Sequence, residues 1–278
     1  MRDSLKDKFF DSIILFFLVM SSGGMLFVFY RNIMYAVFLF VLLLMFILNL
    51  DKLSKSLVSA TILTLFSLLL LFGVNYVFAI TEQSLDKYSY YIMVVAVSVL
   101  TAAHFTNHRT SENFIKRLYF VLKLVVVHAG INVFMYGLVE NNLITISNLF
   151  HECQTFGNIF FYSSLENKFS LISFLSFDFY RNQGLFWEPG VLQVFLNIFL
   201  FLELFIIKKN KLWVLLAVFT ILTTYSTTGI TILLIQIAYY IKYELKNSKI
   251  LIPFVLLLSF PIYLIFTANL EEKIAGAK

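Results

Sequence analysis

LVSATILTLFSLLLLFGVNYVFAI, residues 57–80, holds no charged side chain. A hydrocarbon core about 30 Å thick is crossed by about 20 helical residues, so this run is long enough to span a bilayer once. Its apolar residues are continuous rather than alternating, which favours a helix over a barrel strand. Similar runs recur at about 9–29, 33–50, 89–105, 114–138, 189–207, 211–226, 229–243 and 250–267. Across the 278 residues 60% are hydrophobic and 13% charged, with a mean hydropathy of +0.87. A soluble domain carries about 25% charged residues. The fold class expected is all-α: a polytopic helical bundle of about nine transmembrane helices (range eight to ten) in a single membrane domain, 1–278.

The basic N-terminus MRDSLKDK precedes FFDSIILFFLVM in the manner of a signal peptide. No small-x-small cleavage pattern follows, and the apolar run resumes at MLFVFY, so an uncleaved first span is expected. Lys and Arg number fourteen in one alternating set of loops and six in the other, with Lys123 inside a span. By the positive-inside rule the N-terminus is cytoplasmic, and the loop of about residues 139–188 is external. The net charge of +5 follows from those cytoplasmic loops and predicts no nucleic-acid partner. Cys153 is the single cysteine, and His151-Glu152-Cys153 has no second ligand cluster near it, so no metal or other cofactor is expected.

Basic residues flank both ends of 211–243, so the chain must enter and return as a short helical hairpin. Each arm of about 15 residues reaches roughly 22 Å, short of a full span. Its polar tip TTYSTTG, Thr223 to Gly229, has two readings. It lines a recessed, water-filled cavity, or its hydroxyls bond to nearby backbone carbonyls.

The external loop is long and rich in aromatics, which suits an interfacial segment, with an interfacial helix as one form of it, shielding a site from above. It ends in RNQGLFWEPG, residues 181–190. Pro189 fits the first turn of a helix, which puts Glu188 at the cap. Glu188 as cap with Arg181 as counter-ion is one explanation of these charges. A functional pair is the other, since charge at a membrane border is a functional candidate by default. Beyond the proline, Gly190, Gln193 and Asn197 share one helix face, as cleft wall or as interhelical glue. A second stripe, His128, Asn132 and Tyr136, approaches the external end of the fifth span. His128 is either a proton carrier or a packing histidine. His104, His108 and Arg109 fall on the cytoplasmic side. There is no P-loop and no Asp-x-Asp, which argues against a nucleotide-driven pump and a cytoplasmic sugar-nucleotide transferase.

RNQGLFWEPGVLQVFLN, residues 181–197, resembles the R-x-x-G-[LI]-F-x-E-P-G segment of the O-antigen polymerase and O-antigen ligase-like membrane proteins, and STTG at 226–229 is similar to a downstream segment of that group. The group continues with a larger external loop and further spans. Here NLEEKIAGAK follows the ninth span, so the expectation is a short variant or a chain lacking the usual C-terminal part. The resemblance implies a metal-independent glycosyltransferase of the bacterial inner membrane, multi-pass, polymerising undecaprenyl-diphosphate-linked oligosaccharide repeat units of a surface polysaccharide on the external face. The alternatives are a ligase with lipid A-core as acceptor, and a translocator of lipid-linked glycan. The partners implied are the lipid-linked oligosaccharide, membrane lipid and other envelope polysaccharide assembly proteins. In this scheme Arg181 binds the diphosphate or an anionic sugar, and Glu188 is general base or orients Arg181. Gln193, Asn197, Thr227 and Thr228 line the sugar cleft, with Gly184, Trp187 and His128 completing the substrate site.

Overall fold

The computed structural model describes residues 5–81, 84–106, 111–147, 152–163, 181–207 and 210–244, with Pro253 and Tyr263. Its helices are α1 (Leu5–Ser21), α2 (Met25–Phe29), α3 (Arg31–Leu48), α4 (Lys55–Val77), α5 (Leu85–Thr106), α6 (Ser111–Val139), α7 (Pro189–Phe201), α8 (Lys211–Thr223) and α9 (Thr227–Tyr239). Among the described residues five helical stretches are long and apolar enough to cross a membrane: Arg31–Leu48, Lys55–Val77, Leu85–Thr106, Glu112–Asn142 and Pro189–Ile207. The protein is thus predominantly helical and of a composition compatible with a membrane protein. The ninth expected span, together with His108, Arg109 and His151, lies outside the described residues, apart from Pro253 and Tyr263.

Two compact units divide the chain, Met1–Val121 and Leu122–Lys278. In the first, the expected opening span 9–29 is broken. α1 stops at Ser21, whose hydroxyl donates back to Leu18 O, and the chain turns through Ser22–Gly24 before α2. α3 packs on α5, and α5 on α4. Ser54 caps α4 by accepting from Leu57 N at 3.2 Å. α1 and α5 are joined by a buried polar pair, Asp11 Oδ1 and His104 Nε2, 2.9 Å apart.

The second unit holds a feature the sequence reading did not anticipate. The described part of the long loop is a four-stranded antiparallel meander, ordered β1 (Ile144–Ser147), β2 (Glu152–Phe156), β3 (Phe160–Ser163), β4 (Arg181–Gly184), and the expected interfacial helix is not among these described residues of the loop. Burial along β2 alternates, with Cys153 and Thr155 inward, as a half-buried strand requires. The β2–β3 turn needs two successive left-handed residues, supplied by Gly157 (φ +61°) and Asn158 (φ +55°). β1 begins just after the terminal turn of α6 at Glu140–Asn142, yet β3 and β4 meet α6 at Asn132, ten residues back. Three strand spacings of about 4.8 Å cover roughly 14 Å, and ten helical residues rise about 15 Å. The meander therefore steps back along the last third of α6 and delivers β4 well short of the helix end.

α6 and α8 run parallel: Lys123 Nζ sits 4.1 Å over the Trp213 ring, and further along Phe134 stacks on Phe219. α7 and α9 are likewise parallel, since Gly229 meets Gln193 and Gln236 meets Asn197 one turn on. Leu192, Leu196, Phe199 and Leu200 of α7 are fully buried. α7 continues as a π-helical turn, Leu202–Ile207, where buried Glu203 accepts from Asn210 N at 2.6 Å and so secures the entry to α8.

A Cβ on Gly229 would stand 2.8 Å from Gln193 Oε1 and 2.9 Å from Gln193 Cβ. Gly229→Val is expected to destabilise the protein by about 1–3 kcal/mol through overpacking. Gly73→Ala in α4, which has nothing within 4 Å, leaves the midpoint unlowered. Thermal unfolding of both variants in detergent checks this, and equal midpoints would refute the α7–α9 contact.

Candidate functional site

The site is built on Asn182, the second residue of β4, which is buried. Its Nδ2 donates to Ala129 O at 2.9 Å and to Thr223 Oγ1 at 3.2 Å. Its Oδ1 accepts from Asn132 Nδ2 at 2.8 Å and from Gly184 N at 3.0 Å. One carboxamide thus joins β4 to α6 and α8. Asn132 Nδ2 also donates to Phe161 O at 3.1 Å, and Tyr162 Oη donates to Asn132 O at 2.9 Å, which holds β3 to the same turn of α6.

This layer carries the predicted residues. Arg181 precedes Asn182, is half-buried, and donates through Nε to Thr224 O at 3.2 Å, at the C-terminal end of α8. A cation there complements the negative end of the helix. Glu188 occupies the N-cap of α7 with extended backbone (φ −145°, ψ 138°), as Pro189 at the first turn foretells. Its carboxylate makes no capping hydrogen bond. It lies exposed over the first turn, where a Cβ on Gly190 would stand 3.3 Å from Oε1. Arg181 and Glu188 do not pair with each other. Glu188 thus stands at the cap position without a side-chain capping bond, and Arg181 is not its counter-ion.

The α8–α9 turn completes the layer. Several of its hydroxyls bond to nearby backbone groups, as the second reading given above expects. Thr220, Thr223 and Thr224 donate back to carbonyls of their own helix. Ser226 caps α9 by accepting from Gly229 N. Thr227 and Thr228 open α9, Thr227 half-buried and Thr228 exposed. The tip stands level with Asn132, seven residues short of the end of α6. The α9 start thus follows directly on Thr224, which Arg181 bonds, and α9 meets α7 near the start of both, Gly229 against Gln193.

Gln193 and Asn197 are buried and join helices. Asn197 Nδ2 donates to Gln193 O, Gln193 Oε1 and Gly229 O, and Gln236 Nε2 donates to Asn197 O at 3.2 Å. Of the two roles open to this stripe, the structure builds the interhelical one. His128, one turn before Asn132, lies flat against Phe160, with centroids 5.6 Å apart. It belongs to the docking face for the sheet and lies below the layer. Gly184 takes a left-handed conformation (φ +57°) against Leu192, where a Cβ would be strained and crowded at 3.3 Å. Trp187 O accepts from Gln183 Nε2 at 2.7 Å.

Sequence reasoning passed over Asn182 and Gln183. Both are buried, and Gln183 Oε1 and Asn132 Oδ1 have no hydrogen-bond partner among the described residues. The available signal was two side-chain amides following an arginine at the mouth of an apolar helix. Burial, with the charge of Glu152 beside it, pushes the Cys153 thiol up to about 11. Burial raises the Tyr162 phenol as well. No group of metal-ligating side chains occurs among the described residues.

No family model, curated protein or solved structure matches the chain.

Asn182→Leu leaves one N–H of the Asn132 amide and the Gly184 N–H without their acceptor in an apolar setting, at about 1–3 kcal/mol for each unsatisfied group. The variant is expected to unfold well below the parent in a detergent melt, whereas Thr228→Ala, at an exposed position, melts with it. Cys153, held as the neutral thiol, is expected to react with a maleimide at pH 8 about 200-fold more slowly than the denatured chain. Mass spectrometry after timed quenching measures this, and comparable rates would contradict the buried position.

Proposed function

We propose that this protein is a membrane glycosyltransferase that polymerises undecaprenyl-diphosphate-linked oligosaccharide repeat units of a surface polysaccharide, on the external face of the bacterial inner membrane. The observation that carries the reading is Arg181 anchored on the turn that opens α9, a helix whose start packs against α7 through Gly229 and Gln193. Each N-terminus presents about half a positive charge, and helix starts are natural seats for phosphate. In this reaction negative charge develops on a diphosphate as it leaves, so fixed positive groups there favour the transition state over the ground state.

The steps assign themselves by charge. The acceptor hydroxyl oxygen bonds to the anomeric carbon of the donor glycan. The bond from that carbon to the diphosphate oxygen breaks, and the lipid diphosphate departs with the electron pair. The hydroxyl proton passes to Glu188, whose carboxylate is exposed and makes no capping bond. Arg181, aimed from its anchor on Thr224 O, binds the departing phosphate oxygens. Thr228 and Trp187 border the glycan. The buried oxygens of Asn132 and Gln183 are acceptors for a hydroxyl donor. Gln193 and Asn197 act indirectly, by keeping the two helix starts level. A ligase uses the same chemistry on a different acceptor.

Arg181→Ala is expected to lower polymerisation by about 10²–10³-fold, the loss typical of one oxyanion-stabilising donor. Glu188→Gln removes the base, at about 10²–10⁴-fold. Complementation of a deletion strain, with surface polysaccharide resolved by chain length, checks both at matched expression. Polymerase loss leaves single capped repeats, and ligase loss leaves bare core with lipid-linked glycan accumulating. Normal ladders in both variants would sink the proposal.

A further inference from the structure

Gln183 breaks the pairing of β3 with β4. Arg181 lies opposite Ser163 and Asn182 opposite Tyr162, but the next pair is Gly184 with Phe161. One step on β3 thus matches two on β4, and Gln183 is the extra residue of a β-bulge. Bulges re-aim side chains, and they recur beside active sites. Here the carboxamide runs along the chain instead of across the sheet, and its Nε2 donates to Trp187 O at 2.7 Å. A carbonyl oxygen only accepts, so the nitrogen faces Trp187 and Oε1 faces away.

That oxygen has no place in the packing. Gln183 is 2% exposed, and its Oε1 has no hydrogen-bond partner among the described residues. A buried acceptor left unpaired costs more than an ordinary hydrogen bond returns. An apolar side chain of the same length would fill the position without that cost. Native folds keep such breaches of local rules chiefly where something is bound. The amide lies just beneath the surface, since Trp187 is half-buried and Glu188 exposed. What an acceptor takes is a donor, an O–H or an N–H. Arg181 two residues earlier and Glu188 five residues later put Gln183 within the candidate site.

Resting on the glycosyl transfer proposed above, we infer that Gln183 is a substrate-binding residue. Its Oε1 accepts a hydroxyl of the sugar that bears the diphosphate, reached as the half-buried Trp187 side chain shifts. The test uses the full chain in detergent, supplied with lipid-linked repeat units extracted from the deletion strain. Growth of product chains gives kcat and KM. Gln183→Met keeps the length of the side chain and removes both polar ends. It is expected to melt with the parent and to raise KM about tenfold, the worth of one hydrogen bond, with kcat falling far less. The parent's KM in Gln183→Met overturns the inference and marks the amide as structural, or as the seat of a water alone. Should Gln183→Met not fold, Gln183→Asn decides, since it keeps the amide but withdraws it by one methylene; the parent's KM there overturns the inference. Arg181→Ala, assayed beside these, keeps the two readings apart. Loss of turnover in Arg181→Ala with the parent's KM in Gln183→Met overturns the role of Gln183 alone. Unaffected turnover in both Arg181→Ala and Glu188→Gln overturns the transfer reading, and the role of Gln183 with it.

Discussion

The side-chain amide of Asn182 is the interaction on which the second unit depends. A strand inserted among apolar helices brings backbone N–H and C=O groups to a place where water does not satisfy them, and each one left unpaired costs several kcal/mol in a hydrocarbon setting. Pairing within the meander meets most of that demand. The side facing the helices must be met by side chains, and one carboxamide meets it twice as donor and twice as acceptor. Asn132 repeats the device from the other side, bonding to both β3 and β4. Because the two amides bond to each other, the sheet has one register against α6.

That register sets everything beyond it. Once Asn182 is seated, Arg181 can reach the end of α8, and Gly184 is brought against Leu192, so that α7 begins within a few residues of the node. The short hairpin then meets α7 through Gly229, the small residue that lets α9 approach, and the Gln193–Asn197–Gln236 chain locks the pair. Close approach through glycine with amide bonds across the seam is the usual way helices associate without a hydrophobic driving force. The level of the layer is thus inherited from the sheet.

The sequence made some of this legible and concealed the rest for physical reasons. Long apolar runs specify helices because length and composition suffice, and α4 follows its run closely. Pro189 announced the start of α7 and placed Glu188 at its cap. Short helix arms with basic flanks announced the hairpin. The meander was hidden because FFYS in β3 is apolar enough for an interfacial helix as well as a strand. Only the Gly157-Asn158 dipeptide, with its paired left-handed residues, separated the two. The spacing of Gln193 and Asn197 put them on one face, but spacing does not say what that face meets. Asn182 went unnoticed because charge drew attention to its neighbour, whereas in an apolar bundle a neutral amide carries more of the architecture.

The parallel pairing of α7 and α9 has an electrostatic cost that bears on chemistry. Two adjacent helix N-termini repel, each with about half a positive charge, whereas Arg181 is offset by the carbonyl end of α8 that it bonds. Ser226 offsets little of this, being a neutral cap. Glu188 offsets more, since its carboxylate lies over the first turn of α7, yet without a capping bond to hold it there. A serine or aspartate, shorter and bonded, would cap that turn more firmly. The longer, unbonded carboxylate trades firmness for reach. An anion arriving at the two N-termini supplies the same compensation in its place. In the glycosyl transfer proposed above, a bound phosphate takes over that compensation and leaves the Glu188 carboxylate available as the base.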